Sequence, residues 1–268
     1  MNNRPIGYFD SGIGGLTALK EHFALLPQED TIYVADEAHL PYGTKTQTEI
    51  TDYSQKIVDF LISKDVKAIV CACNTSSAIA LPVIEKTCPV PIFGVIEAGS
   101  QQAIKLTSTN QIVVLATKAT VKSRKYDETI QKINPDCTVT DFAAQELVQI
   151  VEAGDYQNPN VQAEIDRLLA PLENIDADTM VLGCTHFPII EKLINNATNQ
   201  RFQMVNSGQE AVKNLTEFLK TNDLACEESS TPAQHIFYTT GNPAVLQNVG
   251  NKFLGEKIQA VQHLAEES

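Results

Sequence analysis

The sequence has few basic residues compared with acidic ones. Its 268 residues include 20 Lys and Arg against 33 Asp and Glu, which gives a net charge of −13 and a pI near 4.8. Nucleic acids and anionic membranes bind basic faces, so this balance argues against both as partners. Six cysteines are too few in a chain of this length to form the disulfide framework of a small secreted domain.

Long hydrophobic runs are also missing. No uninterrupted apolar stretch approaches the roughly 18 residues of a membrane span, and residues 1–5 contain no signal-peptide core. Together with cysteines in apolar contexts, which suit a reducing compartment, this predicts a cytoplasmic protein. With 43% apolar and 20% charged residues, the chain has the composition of a folded protein large enough for two lobes.

Short apolar runs alternate with longer amphipathic stretches along the whole chain. The predicted strands are Ile6–Phe9, Thr31–Ala35, Ala68–Ala72, Ile92–Val95, Ile112–Leu115, Thr138–Asp141, Met180–Leu182, Gln203–Val205 and Ile236–Thr239. The predicted helices between them include Leu16–Leu25, Gln47–Ser63 and Gln209–Lys220. Strands that alternate with helices predict parallel sheet covered on both faces, so the predicted fold class is α/β.

A faint internal repeat divides the chain. Asp10 ends the first predicted strand, and Cys73 follows it at some distance along the chain. Thr117 ends a comparable strand, and Cys184 follows it at a similar distance. The repeat predicts two similar lobes, each a mainly parallel sheet flanked by helices, with a ligand in the cleft between them. The predicted domains are residues 1–96 plus 208–268 and residues 97–207. A chance similarity between two α/β units is the alternative.

Two cysteines stand where a predicted strand meets a predicted helix. Cys73 opens Cys73-Asn74-Thr75, and Cys184 opens Cys184-Thr185-His186. A thiol at a helix N-terminus is primed to ionise. Two such thiols in matched positions predict a pair that faces one ligand from opposite sides. That geometry suits the removal of a proton from one face of a carbon and its return on the other.

The residues around the two cysteines offer partners for an anionic ligand. Asn74 and Thr75 provide an amide, a hydroxyl and backbone N–H groups to a carboxylate. His186 can support the Cys184 thiolate or donate to a substrate. Glu152 lies on a predicted helix and is a candidate partner of His186, although spacing alone does not bring the two together. No Lys or Arg accompanies these segments, so amides, hydroxyls and helix N-termini are predicted to hold a carboxylate.

Two loops complete the candidate site. The glycine-rich turn Asp10-Ser11-Gly12-Ile13-Gly14-Gly15 follows the first strand but lacks the endings of a P-loop or a dinucleotide fingerprint. Asp10 at the strand end is therefore interpreted as a partner for a nearby thiol or amine, with a simple tight turn as the alternative. In Pro41-Tyr42-Gly43, Pro41 fixes φ and Gly43 lets a backbone N–H approach a ligand. An ordinary loop is the alternative there.

Two other kinds of site compete with a pair of catalytic thiols. Cys71-x-Cys73 and Cys184-x-His186 supply four possible zinc ligands, but the usual Cys-x₂₋₄-Cys spacing is absent, so no metal is predicted. Cys71, which is not one of the two candidate catalytic cysteines, is interpreted as a small buried hydrophobic residue. A two-lobed amino-acid-binding protein without catalysis explains the cleft but not the matched cysteines.

Four motifs together resemble those of the glutamate racemases, members of the cofactor-independent aspartate/glutamate racemases. They are Asp10-Ser11-Gly12-Ile13-Gly14-Gly15-Leu16, Pro41-Tyr42-Gly43, Cys73-Asn74-Thr75 and Gly183-Cys184-Thr185-His186. The resemblance runs from residue 6 to about residue 250. It implies a two-domain α/β isomerase that needs no cofactor, interconverts L- and D-glutamate for bacterial peptidoglycan synthesis, and is often a homodimer. Aspartate as the substrate is the alternative.

The resemblance also implies a role for each matched residue. Cys73 and Cys184 are implied to be the catalytic acid–bases for D- and L-glutamate, with Asp10 supporting Cys73, and His186 and Glu152 supporting Cys184. The implied substrate-binding residues are Asp10, Ser11, Pro41, Tyr42, Gly43, Asn74, Thr75, Thr117, Thr185 and His186. One departure is Ala116-Thr117, where the family more often has Gly-Thr; the hydroxyl is kept.

Overall fold

The structure, a computed structural model, describes residues 3–154, 156, 158–226, 232–255 and 257–265. Within these ranges, ten strands form two separate sheets in which every neighbouring pair is parallel. The strands are β1 (Ile6–Asp10), β2 (Thr31–Ala35), β3 (Ala68–Cys71), β4 (Ile92–Gly94), β5 (Gln111–Ala116), β6 (Thr138–Ala143), β7 (Thr179–Gly183), β8 (Gln203–Asn206), β9 (His235–Thr239) and β10 (Val261–His263). The predicted α/β class is confirmed.

Twelve α-helices cover the two sheets in the described part of the chain. They are α1 (Leu16–Leu25), α2 (Gln47–Ser63), α3 (Asn74–Ile79), α4 (Leu81–Ile84), α5 (Val95–Leu106), α6 (Lys118–Ser123), α7 (Lys125–Ile133), α8 (Gln145–Glu152), α9 (Pro159–Leu169), α10 (Glu191–Ala197), α11 (Ser207–Thr221) and α12 (Pro243–Leu254). Short 3₁₀ turns lie at Glu37–His39, Tyr42–Thr44, Ala170–Asn174 and Phe187–Ile190. Among the described residues, no helix combines the length and the apolar character that crossing a membrane requires.

The larger sheet has the strand order β10-β9-β2-β1-β3-β4. Every residue of β1, β2 and β3 is buried, as expected for parallel strands with helices on both faces. Leucines and valines of α1, α11 and α12 form the core on one face. Apolar residues of α2 and α4 form the core on the other.

The smaller sheet has the order β6-β5-β7-β8 and is covered in the same way. One face packs against apolar residues of α8, α9 and α10. The other face packs against α5 and α7, where Tyr126 and Ile130 are fully buried. Each sheet therefore has its own two-sided core, which keeps the ends of its strands in fixed positions.

The chain enters the larger sheet, leaves it and returns. Strands β1–β4 and β9–β10 belong to the larger sheet, and β5–β8 to the smaller. All nine predicted strands are present, with ends that differ by a few residues; β10 was not predicted because its three residues, Val-Gln-His, carry no apolar pattern. The exact domain boundaries stay a prediction, and residues 1, 2, 155, 157, 227–231, 256 and 266–268 of the predicted domains lie outside the described residues.

A buried ion pair closes the amino-terminal edge of the larger sheet. Lys67 precedes β3 and Glu29 precedes β2, and their side chains are 0% and 3% exposed, with Nζ 2.5 Å from Oε2. The Lys67 ammonium also donates to the carbonyl of Leu224 at 2.8 Å, and Glu29 accepts from the backbone N–H of Cys226 at 2.7 Å. The pair thus ties the segment after α11 to the sheet.

Breaking this ion pair is expected to destabilise the protein without affecting the carboxyl edge of the sheet. Glu29→Gln leaves an unbalanced buried ammonium, so we expect the free energy of unfolding to fall by about 3 kcal/mol. The double variant Lys67→Met/Glu29→Leu removes both charges and should be less destabilised than the single variant. Urea unfolding measures both; a double variant as unstable as Glu29→Gln would contradict the argument.

Candidate active site

The carboxyl edges of the two sheets face each other. Asp10 ends β1 and Cys73 follows β3 in the larger sheet, while Thr117 follows β5 and Cys184 follows β7 in the smaller. Side chains bridge the two edges, since the Thr185 hydroxyl donates to the Asp10 carboxylate at 3.1 Å. Open parallel sheets bind ligands at this edge because the loops that follow the strands meet there.

A small cavity of about 20 Å³ lies between these edges. The residues that line it are Ser11, Leu40, Pro41, Tyr42, Gly43, Cys73, Asn74, Thr75, Thr117, Gln145, Val148, Cys184, Thr185 and His186. Both cysteines and nine of the ten residues predicted to bind substrate are in this set; Asp10 is not in it and neither is Glu152. A space of about this volume holds about one water molecule, so an amino acid can enter only if the two edges separate.

Cys73 sits in an environment that opposes its ionisation. Its side chain is buried, and its sulfur lies 3.9 Å from the Ser11 hydroxyl. Burial, followed by the charge of Asp10, raises the pKa of the Cys73 thiol to about 12, although hydrogen bonds from Ser76 act in the opposite direction. In this closed, substrate-free state Cys73 is therefore a protonated thiol at neutral pH.

Cys184 has a different partner. Its sulfur lies 3.7 Å from Nδ1 of His186, and Nε2 of the same ring is hydrogen-bonded to the Glu152 carboxylate. Burial lowers the pKa of His186, but the hydrogen bonds to Cys184 and Glu152 outweigh it and hold that pKa well above its usual value. An imidazolium ion here places a positive charge beside the Cys184 sulfur. Glu152 does reach His186, a contact that spacing alone could not predict.

Asp10 connects the glycine-rich turn to the smaller sheet. Its fully buried carboxylate accepts hydrogen bonds from the Gly12 N–H at 3.0 Å and from the Thr185 hydroxyl at 3.1 Å. Burial raises the pKa of Asp10, and the charge of His186 together with these hydrogen bonds offsets part of that increase. The charge of Asp10 acts through space on the Cys73 thiol and raises its pKa, and the support of Cys73 by Asp10 stays a prediction.

Hydroxyl and amide groups line the remaining wall. The hydroxyls of Thr75, Thr117 and Thr120 form a triangle with sides of 3.0–3.3 Å that joins the two edges. The side-chain oxygen of Asn74 accepts from the Tyr126 hydroxyl at 2.7 Å, yet its buried Nδ2 has no hydrogen-bond partner among the described residues. A buried N–H group without an acceptor is costly, and a carboxylate would satisfy it.

The four possible zinc ligands named from the sequence, in Cys71-x-Cys73 and Cys184-x-His186, do not form a metal site in the described residues. In the described ranges, no three His, Cys, Asp or Glu side chains are arranged to hold a metal ion. Cys71 is fully buried in the core between the larger sheet and α2, and its thiol donates to the carbonyl of Cys73 at 3.6 Å. Its position is that of a small core residue.

Three residues that line the cavity were not predicted from the sequence: Leu40, Gln145 and Val148. Leu40 directly precedes the Pro41-Tyr42-Gly43 loop. Gln145 lies two residues after the end of β6, because the strand continues to Ala143 rather than stopping at Asp141 as predicted. A polar residue just after a strand is the same signal that identified Asp10 and Thr117, and a correct strand end would have revealed Gln145.

The high pKa of Cys73 makes a prediction about its reactivity. Only the thiolate is alkylated, and with a pKa of about 12 the thiolate fraction of Cys73 rises about tenfold for each pH unit between 7 and 10. In the substrate-free protein, the rate at which iodoacetamide alkylates Cys73 should rise by the same factor for each pH unit. Mass spectrometry of the peptide that contains Cys73 measures this rate. A rate of alkylation that levels off above about pH 9 would show an ordinary thiol instead.

Comparisons with known proteins fit this arrangement. Residues 17–215 match the family model described as Asp/Glu/Hydantoin racemase. A glutamate racemase of Geobacter metallireducens is 38% identical over 265 residues, covering 99% of this chain and 98% of its own.

Two solved structures extend the similarity to the fold. A Bacillus anthracis glutamate racemase is 29% identical with a TM-score of 0.93, covering 100% of this chain and 98% of its own. A Francisella tularensis glutamate racemase in complex with D-glutamate is 35% identical with a TM-score of 0.91, covering 99% of this chain and 98% of its own. The chain therefore belongs to the Asp/Glu/Hydantoin racemase family and is an isomerase of the racemase type.

Proposed function

We propose that this chain interconverts L- and D-glutamate by transferring protons at Cα between two thiols, Cys73 and Cys184. The observation that carries the proposal is their placement: one cysteine from each sheet lines the same buried cavity, and the two have different partners. The relatives of similar length that are named glutamate racemases support glutamate as the substrate.

Conversion of L- to D-glutamate begins at Cys184. Its thiolate, beside the His186 imidazolium, takes the Cα proton, and the C–H electron pair moves into the carbanion shared with the α-carboxylate. The Cys73 thiol then donates its proton to the opposite face and becomes a thiolate. The reverse reaction exchanges the two roles. Free thiols titrate at about 8.5, so both protonation states are accessible near neutrality.

Substrate binding changes the environment of Cys73. In the closed site, burial and then the charge of Asp10 raise the pKa of the Cys73 thiol. The α-ammonium group of glutamate brings a positive charge into the cavity, so we expect it to lower the pKa of Cys73. The substrate thus helps to generate the base that acts on D-glutamate.

Neutral donors stabilise the charge that develops on the α-carboxylate. The unpartnered Nδ2 of Asn74 and the hydroxyls of Thr75 and Thr117 are in place before the reaction, so they need no reorganisation. We assign the remaining contacts with substrate to Ser11, the Pro41-Tyr42-Gly43 loop, Thr185 and His186. Closure of the two edges excludes water, which would otherwise exchange the protons in transit.

The wider role follows from the reaction. D-glutamate is a component of peptidoglycan, so we assign the protein to cell-wall synthesis in a bacterial cytoplasm. The two sheets are taken as the cores of two domains divided near residues 96 and 207, whose relative movement opens the cleft. Assembly as a homodimer remains part of the proposal.

Turnover measurements on two substrates test the function. Purified protein, with no added cofactor, should racemise L-glutamate until both enantiomers are equal. We expect kcat/KM for L-aspartate to be at least about tenfold lower, because the shorter chain leaves one carboxylate out of reach of its partners. If aspartate were turned over as well as glutamate or better, glutamate would not be the preferred substrate. Saturable binding of glutamate without inversion would identify an amino-acid-binding protein.

A further inference from the structure

Gln145 has a buried side-chain oxygen without a partner. It is the first residue of α8, is 5% exposed, and lines the cavity together with both cysteines. No donor among the described residues forms a hydrogen bond with its Oε1. Buried acceptors are almost always paired, because leaving one unpaired forfeits its interaction with water.

Packing alone does not explain a glutamine at this position. Its Oε1 lies against the backbone of Gly43 from the opposite sheet, so close that a side chain at residue 43 would overlap it. Methionine or leucine would fill the same space without leaving an acceptor unpaired. The Gln145 amide therefore lies where the two halves of the site meet. Its unpaired acceptor costs free energy that an apolar side chain would not cost.

The chemistry of an amino acid supplies the missing partner. The two carboxylates of glutamate only accept hydrogen bonds, and its α-ammonium group only donates them. None of the described residues that line the cavity carries a carboxylate, and the carboxylate of Asp10 already accepts hydrogen bonds from Gly12 and Thr185. The unpaired donor of Asn74 matches a carboxylate, and the unpaired acceptor of Gln145 matches the ammonium group.

We propose that Gln145 is a substrate-binding residue whose Oε1 accepts a hydrogen bond from the α-ammonium group. The identity of the substrate rests on the proposed function. The role of Gln145 is to fix one of the substituents of Cα, so that the Cα–H bond is directed at a thiol on either face. Because Gln145 approaches from the smaller sheet, this contact forms only when the cleft is closed.

Two variants separate this role from a structural one. Gln145→Met keeps the size of the side chain and removes the acceptor, so KM for both enantiomers should rise about tenfold. Gln145→Glu keeps an acceptor at the same place and should recover most of that loss. Gln145→Met removes the unpaired acceptor, so it should unfold at a urea concentration no lower than that of the wild type, and its loss of substrate affinity is then not a loss of folding.

Glutarate, which has both carboxylates but no ammonium group, serves as the probe. If Gln145 contacts the ammonium group, Gln145→Met changes the inhibition constant of glutarate less than twofold while KM for glutamate rises. An equal loss for glutarate and glutamate, or a Gln145→Glu variant as poor as Gln145→Met, would overturn the proposal. If the wild type binds glutamate without racemising it, the proposed function fails, and calorimetry with glutamate and glutarate on the same variants still decides the role of Gln145.

Discussion

Replacing Cys73 or Cys184 with alanine is expected to lower kcat by about 10³-fold in both directions. A general acid or base commonly contributes roughly 10²–10⁴-fold, and each direction of the proposed reaction uses one thiol as the base and the other as the acid. Loss of either thiol therefore blocks both directions. Polarimetry or coupled assays of L- and D-glutamate consumption measure the effect.

A matched control separates chemistry from packing. Cys137 is as buried as the two candidate cysteines but lies before β6, at the opposite edge of the smaller sheet. Cys137→Ala should leave kcat within about twofold of the wild type, since the substitution removes a similar volume far from the cavity. If Cys73→Ala or Cys184→Ala kept turnover within tenfold of the wild type, the thiol in question would not be an essential base.

The single-cysteine variants also reveal which face each thiol serves. In Cys73→Ala, Cys184 can still remove the Cα proton of L-glutamate and, after exchange with solvent, return a deuteron to the same face. We therefore expect deuterium in L-glutamate without inversion, and none in D-glutamate. Cys184→Ala should give the opposite pattern. Exchange of the wrong enantiomer would reverse the assignment of the two thiols.

Removing His186 is expected to have the second largest effect. His186→Asn keeps a polar side chain but removes the positive charge beside Cys184, so we expect kcat/KM to fall about 100-fold. The enantiomers have equal free energies, which forces kcat/KM to fall by the same factor in both directions; a difference can appear only in kcat and KM separately. His263→Asn, at an exposed position on β10, is the matched control and should retain wild-type activity.

Glu152→Gln tests the electrostatic origin of this effect. The Glu152 carboxylate raises the pKa of His186, so its removal should lower that pKa and let His186 lose its proton at a lower pH. The alkaline limb of the kcat profile between pH 6 and 10 should therefore move towards neutrality, with a smaller loss of activity than in His186→Asn. An alkaline limb that does not move would show that His186 acts without its charge.

Much of the fold could be predicted because strands in covered parallel sheets are continuous apolar runs. β1, β3 and β7 have this character, and their ends fixed the positions of Asp10, Cys73 and Cys184 in advance. β10 has only three residues and depends on pairing with β9, so its own sequence gives no signal. Local pattern predicts a strand well when the strand buries both faces.

Contacts between residues far apart in the chain could not be predicted in the same way. Glu152 and His186 are far apart in the chain and meet because α8 and the loop after β7 pack on the same sheet. A correct end for β6 would have identified Gln145, but not its approach to the backbone of Gly43. A sequence shows which residues end a strand, but the approach of two strand ends from separate sheets is a property of the folded chain.

Deuterium labelling of substrate and product tests the two-thiol mechanism most directly. Wild-type protein is incubated with L-glutamate in heavy water and stopped at a few per cent conversion, and the Cα of each enantiomer is analysed by mass spectrometry. The mechanism predicts that the D-glutamate formed carries one deuterium at Cα, donated by the opposite thiol, while the remaining L-glutamate stays almost unlabelled. Deuterium entering both enantiomers at similar rates, or D-glutamate that retains the original proton, would contradict a pair of thiols acting on opposite faces.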